Sequence, residues 1–179
     1  MNAYVGYLIL APSFREIDYN IGRISSMEPG IAENGTVYSH LNIWMIKGLL
    51  RYGKADLAYE LFQKISPGYV DGDSHIKQKC PPYMYANCYF GPEHRNNAFQ
   101  MEFTWITGSL AWFNTVLHSD MLGIQAGYKG LVIQPCLPSV WETCEVEKEF
   151  RDATYKISIK NMKKGSTSVV VDGNLISGN

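Results

Sequence analysis

Apolar residues recur at helical spacing from Val37 to Tyr52. Val37, Leu41, Trp44, Met45, Gly48, Leu49 and Tyr52 fall on one face, and Gly53 follows where a helix C-cap belongs. A second helix is predicted at once in KADLAYELFQKISP, with Ala55, Ala58, Tyr59, Phe62 and Ile65 on one side and Pro67 as its stop. Two helices joined so tightly form an antiparallel hairpin. A third is predicted from about Phe103 to Met121, with Ile106, Leu110, Phe113 and Leu117 on its buried stripe.

The period changes after Gly127. GLVIQPCLP reads as a buried strand closed by prolines, and CEVEKEF and ATYKISIKN alternate as half-buried antiparallel strands do. SVVVDGNLI carries an Asp172-Gly173 hairpin signal. Helices followed by strands imply two layers or domains, residues 1–127 and 128–179, rather than an alternating α/β fold. The first 35 residues are loop-rich, and so is the stretch 66–100, whose Tyr69, Tyr83, Tyr85, Tyr89 and Phe90 argue for order. Three helices and four strands cannot close a core alone, so a C-terminal piece of a larger protein is expected.

Bulk properties narrow the function classes. The 179 residues carry a formal net charge of −1, which gives no electrostatic footprint for nucleic acid or an anionic membrane. Aromatic residues make up 13% of the chain, enough either to fill a core or to stack on flat ligands such as sugars. Cys80, Cys88, Cys136 and Cys144 lack the C-x-x-C spacing of zinc or redox sites and read as reduced structural thiols. The opening MNAYVGYLILAPSF holds a short apolar run without a preceding basic region, so neither a membrane span nor a secretion leader is read there, and a cytoplasmic location is expected.

Six segments, in order, carry a family likeness: IGRISSMEPGIAENGTVYSH, GKADLAYELFQKISP, PPYMYANCYFGP, TWITGSLAWF, LGIQAGYKGLVIQPCLPSVW and EFRDATYKISIKN. Together they resemble the disaccharide phosphorylases of glycoside hydrolase family 94. The resemblance implies the last helices of an (α/α)6 barrel followed by part of an antiparallel β-sandwich. It also implies cleavage of a β-linked disaccharide by inorganic phosphate, with inversion, to a sugar 1-phosphate and a free sugar. Phosphate is then a co-substrate; no cofactor and no metal are expected. The partners expected are the disaccharide and phosphate, without nucleic acid or membrane, and a homodimer is expected of the full-length protein.

Such a reaction needs one carboxylic acid to protonate the leaving oxygen and a nucleophile on the opposite face of the ring. Phosphate is its own nucleophile, and a second carboxylate would repel it. Neutral or cationic donors and helix N-terminal N–H groups should hold it instead. A lone histidine on an apolar helix face ordinarily reads as core. The resemblance reverses that reading for His40, which matches a phosphate-contacting position, as do Thr107 and Gly108, expected in the first turns of the third helix. Glu33 matches a sugar-lining position. Asn87 stands where the family often has Gln, and reads either as a sugar contact or as a loop cap. Ala32 replaces a Lys common in cellobiose-specific members, while His94 and Arg95 lie in a segment that departs from the family pattern and either read an anionic substrate group or, by default, are solvated.

No acid in this chain matches the family's general-acid Asp, and Asp56, Asp71, Asp73 and Asp120 match no catalytic position. The chain alone is therefore expected to be inactive. Two rival readings stand beside the phosphorylase: a barrel glycoside hydrolase, and a non-catalytic carbohydrate-binding or scaffold fragment needing a partner chain. The hydrolase would need a second carboxylate facing the site, although Glu102, the only acid near the Thr107-Gly108 motif, is not placed beside Gly108 by helical spacing.

Overall fold

A computed structural model describes residues 6–66, 79, 81, 84–103, 107–162 and 168–176. Pro67, Tyr69, Asp71, Asp73, Cys80, Tyr83 and Ile106 lie outside the described residues. The architecture is a mixture of helices and small antiparallel sheets, in two compact units that part between Cys136 and Leu137.

The loop-rich opening holds one 3₁₀ turn, Gly22–Ser26. Val37 and Tyr38 then form a short strand, β1, rather than the start of a helix. It pairs antiparallel with β2 (Cys88–Tyr89), Val37 opposite Tyr89 and Tyr38 opposite Cys88. Val37, Ala86 and Tyr89 make a small buried cluster there, with Leu8, Phe99 and Met101 against it. Helix α1 follows (Ser39–Arg51) and ends as Gly53 predicted. Gly53, at φ +71°, donates to the Leu50 carbonyl, and Lys54 donates to that of Leu49. This is the paired closure of a Schellman motif.

The buried face of α1 differs from the predicted one. Ser39, Asn42, Ile43, Ile46 and Leu50 are buried, whereas Leu41, Trp44 and Met45 are exposed. Asn42 belongs inside because all its polar atoms are satisfied. It accepts from the Tyr7 N–H at 2.7 Å and donates to the Tyr7 and Tyr38 carbonyls. Helix α2 (Ala55–Ile65) packs on α1 through Ala58, Leu61 and Ile65. Its Phe62 stacks on Phe113 with ring centroids 4.3 Å apart.

The third helix starts later than its pattern suggested. Met101 bridges to Tyr89, Glu102 N–H donates to the Cys88 carbonyl, and Phe103 accepts from Asn87 N–H. The chain there is extended alongside β2, and α3 runs only over Ser109–Val116, continuing as a π-helical turn through Leu117–Met121. Ser109, Val116, Asp120 and Met121 are its buried residues; Leu110 is exposed, and Phe113 and Leu117 are half-buried.

Strands β3 (Ile124–Ala126) and β4 (Leu131–Ile133) form a hairpin that stays with the helices. Gln134 donates to the Gly123 carbonyl and Cys136 to that of Met121, within the first compact unit, which runs to Cys136.

Among its described residues, the second unit holds two antiparallel ribbons. In the first, β5 (Thr143–Phe150) pairs in register with β6 (Ala153–Lys160), and Ile159 is buried. In the second, β7 (Val169–Val171) pairs with β8 (Asn174–Ile176) across Asp172-Gly173. Both turns have two residues of positive φ, at Arg151-Asp152 and at Asp172-Gly173, which matches the right-handed twist of the strands they join.

Candidate functional site

Side-chain contacts fix the relative direction of α1 and α3. His40, near the start of α1, meets Trp112 with ring centroids 5.7 Å apart. Farther along α1, Lys47 and Arg51 bind the Asp120 carboxylate at 3.3 and 3.2 Å. Early residues of one helix thus meet early residues of the other, and the two helices run the same way. Their N-terminal ends lie at one end of the seam.

His40 sits in an aromatic corner. Trp44, one turn on, meets the imidazole edge-on at 5.4 Å, and the two indoles meet each other at 6.2 Å. The Nε2 atom is buried and has no hydrogen-bond partner among the described residues. An unpaired buried polar atom costs about 1–3 kcal/mol.

At the start of α3, Gly108 is the N-cap and Thr107 precedes it, so neither lies in the helix itself as expected. Thr107 Oγ1 accepts from the Ser109 N–H at 3.1 Å and lies 2.6 Å from Ser109 Oγ. Trp112 N–H donates to the Gly108 carbonyl. The ring that touches His40 therefore stands one turn from the Thr107-Gly108 end.

Glu33 lies in a tight turn closed by the Ile31–Asn34 bridge. The fully buried Asn34 anchors it, accepting from Phe14 N–H at 2.7 Å and donating to the carbonyls of Phe14 and Met27. The Glu33 carboxylate takes a 3.0 Å bond from Arg23, an exposed partner that sequence reasoning did not find. Nearby, burial pushes the Tyr38 hydroxyl up to about 12, with Cys88, Glu33 and Glu102 adding to the rise and Arg23 opposing it. Asn87 touches the same region through its backbone. Its carbonyl accepts from Ser39 N–H, immediately before His40.

His94 is not solvated. It is buried, its ring lies 4.4 Å from that of Phe90, and its Nδ1 accepts from Asn97 N–H, which makes it part of the loop's packing. Arg95 is exposed. Asp120 is held by the two α1 cations. The thiols of Cys88, Cys136 and Cys144 are free, and burial raises all three pKa values.

A family model for the catalytic domain of the glycosyl hydrolase 94 superfamily matches residues 1–123, and the chain belongs to that family. Solabiose phosphorylase of Paenibacillus borealis is 34% identical over 97% of this chain and 23% of its own length. N,N'-diacetylchitobiose phosphorylase of Vibrio proteolyticus is 32% identical over 97% of this chain and 22% of its own. For cellobionic acid phosphorylase of Neurospora crassa the identity is 30%, over 89% and 20%. The chain thus spans about a fifth to a quarter of the length of these relatives. Among the described residues, no helix is long and apolar enough to cross a membrane.

Proposed function

We propose that this chain is part of an inverting β-glycoside phosphorylase, which uses inorganic phosphate to split a β-linked disaccharide into a sugar 1-phosphate and a free sugar. The observation that carries the reading is the buried Nε2 of His40, unpartnered among the described residues, at the end of the seam where α3 also begins. In this reading His40, the Thr107 hydroxyl and the Gly108 end of α3 hold phosphate. The helix N-terminus contributes positive potential without bringing a carboxylate to the anion. Glu33 and Asn87 face the sugar.

The general-acid Asp then comes from a part of the complete protein outside these residues. Helices α1 to α3 belong to an (α/α)6 barrel, and the ribbons after residue 128 begin a β-sandwich. A hydrolase is the weaker reading. Glu102, the acid it would recruit, already accepts from Cys88 Sγ at 3.2 Å and faces the Ala32 N–H at 3.4 Å.

The test is to incubate the complete protein with solabiose, N,N'-diacetylchitobiose or cellobionic acid, with and without phosphate. Phosphate-dependent formation of an α-linked sugar 1-phosphate is expected from a β-linked disaccharide. Release of both sugars without phosphate would replace this reading with hydrolysis.

A further inference from the structure

The turn that presents Glu33 is strained at the residue before it. Ala32 has φ +45°, a left-handed conformation that disfavours any side chain with a Cβ. Such a residue persists only where its surroundings over-determine it. On its carbonyl side, Ala32 accepts from the Thr36 hydroxyl at 2.6 Å and from the Thr36 N–H at 3.3 Å. On its amide side, the N–H lies 3.4 Å from each oxygen of the Glu102 carboxylate. Glu102 is sixty-nine positions from Glu33 in sequence, on the extended segment beside β2.

We propose that Glu102 is a positioning residue: it grips the Ala32 amide from behind and so fixes the direction in which Glu33 meets the sugar. Two further contacts support this. Cys88, fully buried on β2, donates its thiol to Glu102 Oε2, which anchors the carboxylate to the sheet. Arg23 holds the Glu33 carboxylate at 3.0 Å, a second tether on the same turn. The Cys88 thiol is held protonated by burial and by the Glu102 charge, so it remains a donor at neutral pH. The grip needs an oxygen on residue 102 that accepts from the Ala32 N–H, and not a negative charge. A glutamine at 102 can keep it with its amide oxygen.

The inference rests on the reading that Glu33 faces the sugar, and a double-mutant cycle separates the two. Four variants of the complete protein are compared for sugar and phosphate KM: Glu33→Gln, Glu102→Ala, Glu102→Gln and Glu33→Gln/Glu102→Ala. Expected are a rise of about tenfold in sugar KM for Glu102→Ala with phosphate KM unchanged, recovery of most of that loss in Glu102→Gln, and a double variant no worse than Glu33→Gln alone. Additive losses in the double variant overturn the proposal, as does an equal rise in both KM values or a Glu102→Gln variant as impaired as Glu102→Ala. If Glu33→Gln itself leaves sugar KM unchanged, the reading of Glu33 fails instead. A folded but unaltered Glu102→Ala, beside an impaired Glu33→Gln, sinks the positioning role alone.

Discussion

The His40 and Trp112 rings meet across the α1–α3 seam at 5.7 Å, and Trp44 closes the same corner from one turn along α1. Aromatic packing holds the imidazole plane while leaving Nε2 without a partner among the described residues. A ring fixed by packing, with one nitrogen unpaired among the described residues, is what the proposed phosphate contact calls for.

On the reading that His40 contacts phosphate, removing its side chain should weaken the complete protein's grip on phosphate. A hydrogen bond to a charged group contributes about 1.5–3 kcal/mol, so His40→Ala should raise phosphate KM by roughly ten- to a hundredfold. Disaccharide KM should change little. Steady-state kinetics with each substrate varied in turn makes the comparison, and equal effects on both would return His40 to a packing role.

The seam itself depends on Asp120. Its buried carboxylate binds Lys47 at 3.3 Å and Arg51 at 3.2 Å, joining the π-helical turn to α1. Arg51 is largely exposed and can recover hydration when the partner is lost, which lowers the cost. Asp120→Asn should therefore destabilise by about 1–3 kcal/mol, seen as a lower thermal midpoint. An unchanged midpoint would mean that apolar packing alone sets the seam.

How much of this was legible in the sequence depended on whether the cause was local. Gly53 and Asp172-Gly173 announce their structures because each needs positive φ within a few residues. Regular alternation likewise located β5 and β6. The face of α1 could not be read that way. Its apolar stripe marks residues that prefer burial, but the described partners bury Ser39 and Asn42 instead, through backbone bonds from distant loops. The start of α3 was misread because Met101–Phe103 is apolar enough for a helix, while its N–H and C=O groups pair with β2. Trp112, four residues after Gly108, was the missed neighbour of His40. Helical spacing from Gly108 locates it, but contact with α1 is tertiary.

Alkaline pH should loosen the β1–β2 region. Cys88 and Tyr38 both have pKa values raised by burial in the folded state, Tyr38 to about 12 from 10.0. A group that holds its proton more tightly when folded stabilises the fold fully below its unfolded pKa and loses that contribution as pH rises toward the folded value. The thermal midpoint should accordingly fall from about pH 9 upward, where an ordinary cysteine ionises. Cys88→Ala should make the fall between about pH 9 and 10 shallower. A midpoint that is flat to pH 11 would contradict the buried environment of both groups.

Residues 1–179 expressed alone should associate and show no turnover. Leu41, Trp44 and Met45 on α1 and Leu110 and Trp112 on α3 are exposed, Trp44 at 53% and Leu110 at 59%. Large apolar residues grouped on neighbouring helices favour contact with other surfaces, and in the isolated chain other copies are the nearest ones. Replacing Trp44 and Leu110 with Gln should shift the isolated chain toward monomer in light scattering while leaving the α1–α2 packing of Ile43, Ile46 and Leu61 intact. Activity is the second readout. On the reading that the general acid lies outside these residues, the isolated chain releases no sugar 1-phosphate from any of the three disaccharides. Robust turnover by the isolated chain would place the acid within it and overturn the assignment of that role elsewhere.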